Sequence, residues 1–164
     1  MPGLNSIISF ININKNDLDR ITGILERSNF DKSYFHETTY CDSNTGIFFS
    51  GYEQYPIQKF ELGGKTLIIE GAIYNKTPEK VNEELGRILP QIASGSGKTD
   101  PLREFMFNTD GEYIVYYIDR ELSTVVICND AMGRLPAYFH ANENGIILAR
   151  LAKFLDVTLP VATP

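Results

Sequence analysis

Two apolar, β-branched runs, residues 113–119 and Thr124–Asn129, are separated only by Arg120-Glu121-Leu122-Ser123. A connection that short returns the chain antiparallel to itself, because a parallel neighbour needs a crossover of about a dozen residues or more. The pattern recurs. Residues 33–40 and 46–52 read as strands about the turn Asp42-Ser43-Asn44-Thr45-Gly46. Residues 138–141 and Gly145–Ala149 form another pair, turned at Asn144-Gly145. Gly63-Gly64 turns into a strand at 65–70, and 57–62 is an edge strand because Pro56 cannot donate to a ladder. Residues 6–12 are apolar and β-branched and read as the first strand.

Helical spacing appears between these runs. Asn14 or Asn16 can cap a helix that sets Leu18, Ile21, Ile24 and Leu25 on one face and ends near Ser28. Thr77-Pro78-Glu79 opens a second helix, with Val81, Leu85, Ile88, Leu89 and Ile92 inward and Pro90 expected to kink or end it. Residues 94–97 read as a flexible loop. Asp100-Pro101 repeats the cap-plus-proline signal for a short helix through Phe107, and 151–155 is a short last helix. Residues 158–164, with Pro160 and Pro164, read as a tail or linker after one domain at 1–157. The sum is about nine or ten strands and about four helices, an α+β chain with mainly antiparallel sheets. A helix layer must cover one face of each sheet. Two such sheets stacked face to face would make a four-layer α/β/β/α sandwich, though periodicity alone does not determine the stacking.

Composition narrows the function classes. A length of 164 residues suits one domain. The net charge of −6 argues against a nucleic-acid partner, which needs clustered Lys and Arg. No apolar stretch approaches the roughly 20 residues of a membrane helix, and no basic residue precedes the first strand as in a signal peptide. Cys41 and Cys128 lie far apart with no CxxC, which fits a reducing, cytoplasmic compartment. Cys128 sits in the apolar run Val125-Val126-Ile127-Cys128, where an inert thiol is the default. His36 and His140 have no acidic partner at ligand spacing, so no metal is expected. Gly95-Ser96-Gly97-Lys98-Thr99 imitates a phosphate loop but lacks the earlier glycine, position 92 being Ile, and follows a helix instead of a strand. No cofactor is expected.

Three segments carry a family resemblance. Ile69-Glu70-Gly71-Ala72-Ile73-Tyr74-Asn75 resembles the Asn-Gly-Glu-Ile-Tyr-Asn pattern of asparagine synthetases. Thr109-Asp110-Gly111-Glu112-Tyr113 with Tyr116-Tyr117-Ile118-Asp119 resembles their Asp-Gly-Met-Phe-Ala-Phe-X-X-Tyr-Asp strand. Asn129-Asp130-Ala131-Met132-Gly133-Arg134-Leu135-Pro136-Ala137-Tyr138-Phe139 resembles Arg-Asp-Pro-Leu-Gly-Ile-Lys-Pro-Leu-Tyr-Tyr. Their order matches, and Ile147-Leu148-Ala149-Arg150 stands where the family turns through Ser-Ser-Glu into a helix. The resemblance, from Gly3 to about Leu155, is to the glutaminase domain of class II glutamine amidotransferases, and it implies their N-terminal-nucleophile hydrolase fold.

It also implies chemistry that these residues do not supply. The family attacks the glutamine amide with a Cys that follows the initiator Met, its own α-amine serving as base. Here Met1 is followed by Pro2-Gly3. The family's oxyanion Asn-Gly corresponds to Glu70-Gly71, and a carboxylate opposes an oxyanion. The Arg that grips the substrate carboxylate is missing, since 46–70 contains only Lys59 and Lys65 as cations. Thr99-Asp100 resembles the Ser-Asp that holds the substrate ammonium, while Asp100 also suits a helix cap before Pro101. Asp130 and Arg134 are expected to make an ion pair or turn bond, and residues 129–139 to be buried scaffolding with Gly133 at positive φ.

The expectation is a non-catalytic amidotransferase-like domain, a structural or interaction module in an amide- or peptide-bond-forming system. Its implied partner is an asparagine-synthetase-like ATP-dependent synthetase domain or protein, because no pyrophosphatase loop occurs in this chain. Pro2, Glu70, Gly71 and Asp100 are the candidates for a shared vestigial cleft, acidic if open and filled if Phe48, Phe49, Tyr52 and Tyr55 pack into it. A second reading stays open: an enzyme of other chemistry with the Pro2 amine as general base, or small-ligand binding in that pocket.

Overall fold

The computed structural model describes residues 2–10, 12–27, 33–61 and 63–156. The expected tail at 158–164, and the helix end at Ser28, fall outside the described residues. The strands are β1 (Gly3–Ser9), β2 (Phe35–Cys41), β3 (Thr45–Gly51), β4 (Ile57–Glu61), β5 (Lys65–Ile73), β6 (Gly111–Asp119), β7 (Thr124–Asn129), β8 (Tyr138–Asn142) and β9 (Gly145–Ala149). The helices are α1 (Lys15–Arg27), α2 (Pro78–Ala93) and α3 (Asp100–Phe107), with a short 3-10 helix at Ala152–Asp156. Every strand pairing is antiparallel, so the chain is an α+β protein built on two antiparallel sheets. Among the described residues, no helix is long and apolar enough to cross a membrane.

The chain divides into two compact units, Met1–Tyr55 with Pro136–Pro164, and Pro56–Leu135. The first holds a sheet ordered β2-β3-β1-β9-β8. Ile21 and Leu25 of α1 pack with Ile7, Phe48, Ile147, Ala149 and Phe154 on one face of it. Each such buried aliphatic side chain contributes roughly 1.5–3 kcal/mol. The start of α1 is a reciprocal cap: Asn14 Oδ1 accepts from Asp17 N–H, and Asp17 Oδ2 accepts from Asn14 N–H, both at 3.1 Å. The expected first strand lies three residues too late, since β1 ends at Ser9 and Phe10 is exposed. The apolar pattern missed Asn5 and Ser6, which are buried because the sheet satisfies them: Asn5 Oδ1 accepts from Arg150 N–H at 3.3 Å.

The second unit holds a sheet ordered β4-β5-β6-β7, with β4 at its edge as Pro56 suggested. Leu67 and Ile69 of β5 and Tyr113, Val115 and Tyr117 of β6 face α2 and α3, meeting Val81, Leu85, Ile88, Leu89 and Phe105. Thr77 caps α2, its hydroxyl accepting from Lys80 N–H at 3.4 Å. Pro90 does not end α2, which runs on to Ala93. Past it the glycine-rich loop folds back as a C-cap: Gly95 N–H donates to Ile92 and Gly97 N–H to Gln91. Those amides serve the helix end, so the loop is not a phosphate cradle.

Candidate functional site

The three segments singled out in the sequence converge within the second unit. β5 and β6 run side by side to the pair Ile73↔Gly111. Gly71 adopts φ +95, and a Cβ there would collide with the Glu112 carbonyl oxygen and stand 2.9 Å from Leu135 Cδ1. At Gly111 a Cβ would strike the Ala72 carbonyl and stand 2.9 Å from Ile73 Cα. Both glycines are therefore required by a close pass of two backbones.

Beyond the pass, polar groups lock the segments together. Tyr74 N–H donates to Asp110 O at 2.8 Å. Asn75 accepts from Asp110 N–H at 2.9 Å and donates to Asn108 O at 3.0 Å. Arg134 Nη1 donates to Gly111 O at 2.9 Å and to Asp110 Oδ1 at 3.2 Å. Tyr74 hydroxyl donates to Glu112 at 3.1 Å, and that bond raises the tyrosine pKa above its ordinary value. Asp130 organises the turn that delivers Arg134, accepting from Met132 N–H at 2.9 Å and Arg134 N–H at 3.0 Å. Asp130 thus makes the expected turn bond, while the ion pair of Arg134 is with Asp110. Gly133 has φ +62, as expected. The expectation that the whole of 129–139 is buried fails. Residues 131–134 and 137–139 are exposed, Met132 by 76%. Asp130 accounts for the difference, because it ties the turn through backbone bonds and leaves the turn side chains outside.

Of the candidate pocket residues, Pro2 lies in the first unit and Glu70, Gly71 and Asp100 in the second. Glu70 is fully buried on β5. Side chains alternate along a strand, so Glu70 shares the sheet face of Thr66 and Ile68, away from Leu67 and Ile69. Asp100 is exposed and opens α3, which packs on the Leu67 and Ile69 face. Glu70 and Asp100 are therefore on opposite faces of the second sheet. Asp100 is also not the cap: Thr99 holds that position without a side-chain bond, and Asp100 is an acid in the first turn, where the helix dipole favours it. Nearby, a groove of about 340 Å³ is lined by Arg87, Ile88, Gln91, Lys98, Pro101 and Glu104.

Within the first unit, Pro2 is half-buried among hydrocarbon. A Cβ on Gly51 would meet Pro2 Cβ and Phe49 Cζ, each at 2.7 Å. Phe49 stacks on Tyr55 with ring centroids 5.7 Å apart and meets Phe35 edge-on at 5.2 Å. The aromatics proposed from sequence as fillers do pack around this end of β1 and β3. Sequence reasoning missed the roles of Asn75, Asp110 and Arg134; the signal was their recurrence inside the three motif segments.

Burial sets the thiols apart. Cys128 is pushed up to about 12 by desolvation. Cys41 is exposed, and its thiol is raised by partial burial and by Asp42. No protein-family model matches this chain, and no curated protein matches it.

Proposed function

We propose that the chain is a non-catalytic glutamine-amidotransferase-like domain. It serves as a structural or interaction module of an asparagine-synthetase-related system that forms amide or peptide bonds. In this reading the two helix-covered sheets take the four-layer arrangement of the N-terminal-nucleophile hydrolases, and the partner is an ATP-dependent synthetase domain or protein.

The observation that carries the proposal is the pairing of Glu70 with Gly71. Gly71 keeps the backbone conformation that only glycine tolerates, at the segment where the family places its oxyanion Asn-Gly. Beside it stands a fully buried carboxylate in place of a donor amide. A buried acid there works against negative charge on a tetrahedral intermediate. Convergence of the three motif segments on that glycine supports the frame. Pro2-Gly3 at the head of β1 supports the loss of chemistry, because neither residue offers a side-chain nucleophile. No described contact favours the second reading, in which the Pro2 amine is a base.

The test is a titration of the isotope-labelled protein with glutamine, followed through its backbone amide resonances. The expected outcome is no saturable shift at Glu70, Gly71 or Asp100. A saturable shift confined to those amides would overturn the loss of the substrate site.

A further inference from the structure

The two sheets have four edge strands, β2, β8, β4 and β7, and three of them are protected. An open edge presents unpaired N–H and C=O groups to any other strand, and proteins blunt it with bulges, charges, prolines or cover. β2 carries a register shift between Thr38 and Tyr40 and a charge at Glu37. β4 follows Pro56 and carries the exposed pair Lys59–Glu61 at 3.3 Å. α2 packs against β7, whose Val126 and Cys128 join the helix-covered cluster. β8 has none of these. Its five residues Tyr-Phe-His-Ala-Asn are all exposed, include no Asp, Glu, Lys, Arg or Pro, and hold an unbroken register with β9. Among the described residues no strand lies beyond it.

Backbone direction identifies which groups are open. Phe10 N–H donates to Asn144 O at 2.9 Å, which makes Ser9↔Gly145 a non-hydrogen-bonded pair of β1 and β9. Gly145, and by alternation Ile147 and Ala149, then turn their backbone groups towards β8. Their partners Asn142, His140 and Tyr138 are occupied by β9. Phe139 and Ala141 direct N–H and C=O to the open side.

We propose that β8 is a self-association edge: two copies of the chain pair β8 against β8, antiparallel, about a two-fold axis at His140. In that register Phe139 of each copy faces Ala141 of the other, and both outward residues on both strands exchange hydrogen bonds. His140 meets His140 as the central non-hydrogen-bonded pair. No formal charge opposes a like charge within the strand, and the large Phe139 side chain, 73% exposed, lies beside a small Ala141. A second copy fits better than a flexible peptide. The peptide would have to be ordered for the same few backbone bonds, whereas a second β8 is already held in its hairpin. The chain's own residues 158–164 are a poor cover, because Pro160 and Pro164 lack donors.

The test uses the full chain with Cys41→Ser as background, to remove the other exposed thiol. His140→Cys, oxidised, is expected to give a disulfide-linked dimer, because directly opposed non-hydrogen-bonded residues lie about 4.5 Å apart at Cα. Phe139→Cys is expected to give far less, since it opposes residue 141. Sedimentation of the wild type should show a concentration-dependent dimer, and Ala141→Pro, which removes an outward donor, should shift it to monomer with unchanged far-ultraviolet circular dichroism. A wild type that stays monomeric at every concentration would overturn the proposal. So would a dimer untouched by Ala141→Pro and uncrosslinked through His140→Cys, or a monomer that captures an extended peptide at β8. Should Ala141→Pro lose its fold, the crosslinking comparison decides alone.

Discussion

The backbone of Gly71 passes so close to the carbonyl of Glu112 that no Cβ fits between them. Positive φ at Gly71 adds a second reason for glycine. Gly71→Ala is expected to lower unfolding free energy by more than about 3 kcal/mol, the combined cost of strain and a backbone collision. Gly133→Ala faces only the Asn129 side-chain amide at 3.3 Å and a left-handed φ, so its cost is about 1 kcal/mol. Urea unfolding of both variants checks the ranking. Equal midpoints would mean that the close pass does not exist.

The thiols should separate chemically. At about pH 8, iodoacetamide is expected to modify Cys41 slowly and to spare Cys128 until the protein unfolds, because the thiolate is the reactive form. Peptide mapping after timed labelling reads this. Modification of Cys128 at the rate of Cys41 in the native state would contradict the burial of β7.

His36 gives stability a pH dependence of known sign. Burial lowers its pKa below 6.5, and the Glu26 carboxylate only partly opposes that shift. The unfolded chain therefore takes up a proton as pH falls through about 6.5 while the folded chain does not. Stability is full above that value and declines below it, down to the folded pKa. His36→Gln should flatten the thermal-midpoint profile across this window. A wild-type profile that rises on acidification there would reverse the sign and exclude burial as the cause.

Local chemistry made much of the fold legible. Thr124–Asn129 and Gly145–Ala149 match their strands because tight turns bound them. The β8–β9 turn itself is Glu143-Asn144, since Gly145 already pairs with Asn142. The start of β1 was hidden because Asn5 and Ser6 look like turn residues until Arg150 and Leu148 meet them. Pro90 misled because a proline in the last turn of α2 costs less than one in the interior. At the site, the motif glycines were visible as letters. Their reason, a collision with Glu112 and Ala72 across two strands, exists only in three dimensions. The opposition of Glu70 and Asp100 across the sheet was equally out of reach, because it depends on which face α3 covers.

Ammonia release from glutamine by the purified chain, followed beside a Cys41→Ser/Cys128→Ser variant, is the most direct measurement of whether this frame has lost its chemistry. The expected result is no release above the buffer rate from either protein. Steady turnover that persists in the cysteine-free variant would contradict it, and would require a nucleophile other than either thiol.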